Sequence, residues 1–304
     1  VGIICNQEIG IKMKKLKLGL PSGSLQDSTF DLFERAGYKI RLSSRSYIPT
    51  INDPEMEGLM FRAQEMAQYV ARGVVDVGLT GKDWILENDA DIIEIGELIY
   101  SKATSRPVRW VIAVPEESSV QTVHDLNGKR VATELVGATR RYFENHGVEA
   151  EVEFSWGTTE VKARIPGLVD AIVDLTETGS SLKANRLRIV DTVCESTTRL
   201  IANKDSWEDP WKRERAENLY ILINGALEAE AKVGLKMNVP RSQLDVLIEK
   251  LPAMRTPTVS DLMDRSWVAI EIVADESEVR QLIPQLKRIG AEGLIEYPLN
   301  KVIH

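Results

Sequence analysis

Cysteine is nearly absent from this 304-residue chain: Cys5 and Cys194 are its only two. Two thiols make neither a disulfide framework nor a cysteine zinc site, so a reducing cytoplasm is the expected setting. Histidine is as scarce, and His124, His146 and His304 are scattered without metal-ligand spacing. A basic surplus is also missing. With 38 Lys and Arg against 46 Asp and Glu, the net charge is −8, which gives no general attraction for nucleic acid or an anionic membrane. Any anion site must therefore be local. No apolar run is long enough for a membrane span, and "VGIICNQEIGIKMKKLKLGLP" lacks the charged, apolar and small-residue order of an export signal. The first residue is Val, and Met13 sits just before the first strand pattern, so residues 1–12 read as an extension of no functional weight. What is present is ordinary: 43% hydrophobic and 28% charged residues, in a length that allows two or three domains.

Periodicity organises the first two-thirds of the chain as alternating strands and helices. "KLKLGLP" (15–21) alternates apolar and polar residues, and "DSTFDLFERAG" (27–37) spaces Phe30 and Phe33 as a helix that Gly37 stops. "AQEMAQYVARG" (63–73) reads as a helix and "VVDVGLTG" (74–81) as a strand ending in a turn. Strands follow at 109–115, 129–134, 150–156 and 170–176, with a helix over roughly 138–146. This alternation predicts parallel sheets covered by helices. "VRWVIAVPEESS" has an uninterrupted apolar centre and is expected to cross between two lobes. In such sheets ligands sit beyond the carboxyl ends of strands.

The last third has a different order. After a helix at about 207–227 come a strand (231–240), a helix (241–252), two strands ("RTPTVSDL" and "SWVAIEIVADE"), a helix (277–290) and a closing strand (292–298). βαββαβ is the ferredoxin-like pattern, a candidate regulatory domain by analogy.

"DAIVDLTETGSSLKAN" (170–185) holds the strongest chemical signal. A buried strand runs into an acidic, hydroxyl-rich glycine turn and then a helix. Consecutive N–H groups at such a turn cradle phosphate, and Thr178, Ser180 and Ser181 add hydroxyl donors around Gly179. Asp174 and Glu177 would repel a phosphate unless sugar hydroxyls or Mg²⁺ occupy them. The pattern suits a ribose 5-phosphate. It also suits a plain helix N-cap with Asp174 solvated, and the stretch alone leaves both readings open. Two more strand-to-glycine turns, "LGLPSGSLQ" (18–26) and "VGLTGKDW" (77–84), strengthen the first reading. Arg62, Lys82, Arg106 and Arg109 are candidate charges for a second polyphosphate, and Glu134 falls at a strand end.

The stretches "LPSGSLQ", "RAQEMAQYV", "DVGLTGKDW", "GKRVATELV", "VEFSWGTTEVKARIPGLVDAIVDLTETGSSLKANRLRIVDTV", "KVGLKMNVP", "TPTVSDL" and "GAEGLIEYPLNK" resemble the ATP phosphoribosyltransferase family in its long, self-regulated form. The resemblance covers residues 16–301. It implies an α/β fold of two lobes like those of periplasmic binding proteins, lobe I at 13–110 plus about 196–224 and lobe II at 111–195. A ferredoxin-like histidine-binding domain would follow at 225–304. It implies the first step of histidine biosynthesis, with ATP and phosphoribosyl pyrophosphate as substrates, Mg²⁺ as cofactor, histidine as feedback inhibitor and a homo-oligomer of dimers and hexamers.

Carried over by resemblance, Glu177, Thr178, Gly179, Ser180, Ser181 and Leu182 would bind phosphoribosyl pyrophosphate. Asp170 and Asp174 would face the ribose and the metal. Asp174 and Glu160, the latter in the facing loop "FSWGTTEV", would be catalytic. Gly23, Arg62, Gly81 and Lys82 would line the ATP side, and Leu235, Met237 and Thr258 would lie near the effector. One departure stands out: Ser22 and Ser24 occupy a turn where many members carry Lys and Arg. Two rivals remain at this stage, a solute-binding protein on the same two lobes and a catalytically silent effector-binding protein.

Overall fold

The computed structural model describes residues 13–43, 48–100, 107–252 and 256–304. Arg106, one of the expected polyphosphate cations, and residues 1–12 lie outside that set. The chain divides into two compact units, one ending at Tyr220 and the other built chiefly from Ile221–His304, with 32–37 joining the second.

The first unit holds two five-stranded sheets, and each is mixed. In the first, β4 (Met56–Arg62), β1 (Leu16–Ser22) and β5 (Val77–Gly81) run parallel, while β12 (Thr198–Ala202) is inserted antiparallel between β5 and β6 (Ile93–Leu98). The alternation of β1 buries Leu16, Leu18 and Leu20 completely. Helix α2 (Ala63–Ala71) seals the sheet with Met66, Ala67 and Val70. The second sheet has the order β11 (Leu187–Ser196), β7 (Val108–Pro115), β10 (Ala171–Thr176), β8 (Arg130–Thr133), β9 (Glu151–Phe154). Here β7 is antiparallel to both of its neighbours. A two-residue pair, β2 (Ile40–Arg41) with β3 (Thr50–Ile51), stands apart.

Wholly parallel sheets are thus not what forms. The antiparallel members β7 and β12 are the strands that the chain enters on arriving from the other sheet, so they run against the strands laid down by local βα units. The apolar run at β7 does not itself cross between lobes. It is a central strand whose Trp110, Ile112 and Val114 feed one core and whose Val111 and Ala113 feed the opposite one, and a strand buried on both faces shows no alternation. Because β7 starts at Val108 and β11 ends at Ser196, the second sheet is slightly longer at both ends than lobe limits of 111 and 195.

Helices α1 (Gln26–Ala36), α3 (Lys82–Glu87), α4 (Val136–Asn145), α5 (Thr159–Lys162), α6 (Ser180–Ala184), α7 (Lys204–Glu208) and α8 (Pro210–Glu228) fill the connections. The second unit is a four-stranded antiparallel sheet ordered β14 (Thr258–Asp261), β15 (Trp267–Asp275), β13 (Lys232–Pro240), β16 (Glu292–Pro298). With α9 (Leu244–Ile248) and α10 (Glu276–Ile289) it forms the ferredoxin-like βαββαβ arrangement. The helix expected over 241–252 is shorter: a 3₁₀ turn, Arg241–Gln243, precedes α9. Among the described residues no helix is long and apolar enough to cross a membrane.

Candidate active site

Strand β10 aims the key carboxylate. Alternation sends Ala171 and Val173 into one core and Ile172 into the other, which leaves Asp174 half-buried near the carboxyl end. The chain then folds on its own hydroxyls. Buried Thr176 accepts the Gly179 N–H at its Oγ1 (2.8 Å), and Thr178 Oγ1 donates to Ser180 Oγ (2.9 Å). Gly179 sits at φ +77°, a left-handed conformation in which a side chain is strained although a Cβ would make only an ordinary contact, 3.9 Å from Ile189 Cδ1. The loop after β9 faces this turn. Its Gly157 and Thr158 take φ of 88° and 48°, Ser155 Oγ is held by Thr159 Oγ1 (2.9 Å) and Lys162 Nζ (2.6 Å), and Glu160 follows in α5. Ser181 Oγ donates to Glu160 Oε1 at 2.6 Å, which joins the two loops.

Asp174 lies within hydrogen-bonding reach of Glu160 and close enough to Glu134 to feel its charge. Burial chiefly, with those two carboxylates adding and the Leu175 N–H opposing, pushes its pKa up to about 6. Carboxylates drawn together in this way make a site prepared for a positive partner. Among the described residues no group of three or more His, Cys, Asp or Glu is arranged to hold a metal by itself.

Across from this cluster, the carboxyl ends of the first sheet supply the other wall. Ser22 of β1 lies beside Arg62 of β4. Gly23 turns the chain at φ +94°, and a Cβ there would stand 2.8 Å from Arg62 Nη1. Arg62 thus brings a guanidinium over the turn where Ser22 and Ser24 bring none. The cleft between the walls has a volume of about 460 Å³. Arg62, Gly81, Glu134, Asp174 and Glu177 line its polar parts; Leu25, Trp84, Ile99, Tyr100, Val108 and Trp110 form an apolar side.

Several expected residues lie elsewhere. Asp170 precedes β10 at its amino end, where its carboxylate accepts the Arg130 N–H (3.0 Å) and meets Lys129 (3.7 Å). Four steps of extended chain, roughly 13 Å, separate it from Asp174, so the two cannot share a metal. Leu182 is a core side chain, 2% exposed, and offers a ligand no more than its backbone. Lys82 spends its ammonium on Glu94 and does not line the cleft. Arg109, near the start of β7, stands beside Thr176 and Glu195, next to the 176–181 turn rather than on the Arg62 wall. In the second unit Leu235 and Met237 point into the core, since the alternation of β13 turns them under the helices; only Thr258, on β14, is exposed. Sequence reasoning missed Asp83, Trp84, Tyr100 and Trp110. An aspartate followed by an aromatic just after a glycine turn, "GKDW", was the available signal for the first two.

The HisG profile, described as ATP phosphoribosyltransferase, matches residues 62–235. The chain belongs to the ATP phosphoribosyltransferase family. The profile of the HisG C-terminal domain matches residues 229–301. ATP phosphoribosyltransferase of Chlorobaculum parvum is 62% identical over 288 residues, 95% of this chain and 97% of that protein; that of Pelotomaculum thermopropionicum is 58% identical over 289 residues, 95% and 99%. A solved ATP phosphoribosyl transferase (HisG:HisZ) complex from Thermotoga maritima has a chain that superposes with a TM-score of 0.58 at 28% identity, covering 69% of this chain and 98% of its own. As an ATP phosphoribosyltransferase the chain is a pentosyltransferase of histidine biosynthesis.

Proposed function

We propose that this cleft transfers the 5-phosphoribosyl group of phosphoribosyl pyrophosphate to a ring nitrogen of the adenine of ATP, releasing pyrophosphate as the first step of the pathway. The observation that carries the reading is the joined pair of loops: a hydroxyl-rich turn tied through Ser181 to Glu160, beside Asp174, opposite an aromatic wall and Arg62. The turn at 176–181 holds the 5-phosphate through its hydroxyls and backbone N–H groups. Asp174 and Glu160 face the ribose, where their negative charge stabilises the positive charge that builds on the ring as the leaving group departs. The apolar wall packs the purine and so fixes the attacking nitrogen against the anomeric carbon. Arg62 accepts negative charge from the phosphate chains. No covalent nucleophile is needed.

Magnesium fits this site, because Asp174 and Glu160 bring two carboxylates close together and Mg²⁺ is commonly held by one or two carboxylates together with substrate phosphates. When bound, it supplies positive charge to the pyrophosphate leaving group. The family match of the C-terminal domain supports histidine as a feedback inhibitor acting there, in a cytoplasmic homo-oligomer. Calorimetry tests the site assignment: Thr178→Ala and Gly179→Val weaken binding of phosphoribosyl pyrophosphate far more than binding of ATP. Unchanged donor affinity in both variants would remove the phosphate turn from the site.

A further inference from the structure

The most deeply buried ionisable group in the cleft wall has no part in the chemistry above. Asp83 is only 4% exposed, and every group that bonds it is neutral. Its Oδ2 accepts the indole N–H of Trp110 at 2.7 Å. Its Oδ1 accepts the hydroxyl of Ser196 at 2.8 Å and the Trp84 N–H at 3.0 Å. Its own N–H donates to Ser196 Oγ at 3.1 Å. An ionised carboxylate taken out of water without a cation is costly, and burial pushes the Asp83 pKa up. Packing alone would be served better by an apolar residue.

The partners show what the carboxylate achieves. Asp83 and Trp84 belong to α3, on the first sheet's side. Trp110 lies in β7, the strand entered after the chain leaves that sheet, and Ser196 closes β11, just before the chain returns in β12. One side chain therefore fastens two neighbouring strands of the second sheet, β7 and β11, to α3. It also fixes the Trp110 indole edge-on to Trp84, with ring centroids 6.1 Å apart and planes at 83°. Both rings line the cleft. The other end of α3 docks on the second lobe independently, through Glu87, whose two oxygens accept the N–H groups of Gly137 and Ala138 at 2.9 Å each.

We propose that Asp83 is a positioning residue for the nucleotide: by anchoring the Trp110 indole and the Ser196 turn to α3, it sets the apolar wall against which the purine of ATP packs. This rests on the reading of the cleft given above. None of these four hydrogen bonds reaches Asp174, Glu160 or the 176–181 turn, so removal of the carboxylate acts on one substrate and spares the other.

Asparagine cannot replace it silently. One oxygen of Asp83 faces the Trp84 N–H and the other faces the Trp110 N–H, so either orientation of an amide sets an NH₂ against a donor. In steady-state assays Asp83→Asn raises KM for ATP about tenfold, with KM for phosphoribosyl pyrophosphate within about twofold of wild type. Trp110→Phe keeps a ring but removes the indole donor, and shifts the same constant. The double variant adds little to either single one, as expected of partners in one interaction. Tryptophan fluorescence quenching by ATP is reduced in Asp83→Asn. A purely structural role would lower melting temperature and kcat and leave both KM values alone; that result, in folded Asp83→Asn and Trp110→Phe, overturns the proposal. So does Glu87→Ala reproducing the ATP-specific rise, because it loosens lobe docking without touching the indole. If the wild-type protein makes no phosphoribosyl-ATP, the reaction assignment fails separately, and calorimetric ATP affinity of the same variants still reads the role of Asp83.

Discussion

Replacing Asp174 with asparagine is expected to stabilise the unliganded protein while destroying its activity. The carboxyl titrates at about 6 in the folded chain against 3.8 as its ordinary value, chiefly through burial and then through Glu160 and Glu134. Between those pH values the native state holds more protons than the unfolded state, so stability falls as pH rises from about 4 to about 6 and stays at the lower level above it. A displacement of that size corresponds to about 3 kcal/mol. The side chain is only half-buried, so solvent screening leaves about 1–2 kcal/mol. The amide of Asp174→Asn keeps an acceptor for the Leu175 N–H, which reaches Asp174 Oδ1 at 2.8 Å, and carries no charge to desolvate. Denaturant or thermal unfolding from pH 4.5 to 8 should therefore show Asp174→Asn more stable than wild type at pH 7.5 by about 1–2 kcal/mol, a few degrees in melting temperature. The gap should close toward pH 4.5. Phosphoribosyl pyrophosphate with Mg²⁺ should reverse it, since only the wild type gains ligand binding. A variant less stable than wild type at pH 7.5, or a gap that does not change with pH, would refute the reasoning.

Two further outcomes separate scaffold from site. Lys212→Met leaves Asp76, 5% exposed, with the Ser206 hydroxyl (2.6 Å) and the Lys17 N–H (2.8 Å) but without the ammonium now at 2.6 Å; unfolding should cost about 3 kcal/mol less, with both KM values unchanged in enzyme assayed well below its melting temperature. Thr258→Trp, on the exposed strand β14, should raise the half-inhibitory histidine concentration at least tenfold without altering uninhibited turnover; full sensitivity in that variant would place the effector elsewhere.

The glycine turn at 176–181 was legible as a structure because three local signals coincide there: an apolar strand, a glycine at a position that needs positive φ, and hydroxyls able to fold the loop. The C-terminal unit was legible for a similar reason. Its strands bury one face, so β15 alternates throughout and β13 does so apart from the buried Gly234. Strands β4, β6, β11 and β12, with the two-residue β2 and β3, escaped notice. In β6 and β11 only terminal residues are fully buried and the rest are half-buried or exposed, and β12 is five residues long with its direction fixed by partners far away in sequence. Resemblance also placed residues without orienting them. It set Asp170 beside Asp174, whereas a strand separates them, and it set Leu235 and Met237 at a ligand, whereas the pleat turns them inward. Beyond the faint signal of "GKDW", Asp83 was hard to read for a physical reason: a helix-start aspartate is ordinarily solvated, and here the approach of β7 and β11 buries it.

The most direct test of the central claim is a reaction of purified protein with ATP, phosphoribosyl pyrophosphate and Mg²⁺, followed by mass spectrometry and by release of pyrophosphate. The expected result is one phosphoribosyl-ATP formed for each pyrophosphate released, abolished by Asp174→Asn and dependent on both substrates. Folded protein that binds both substrates yet forms neither product would contradict the account.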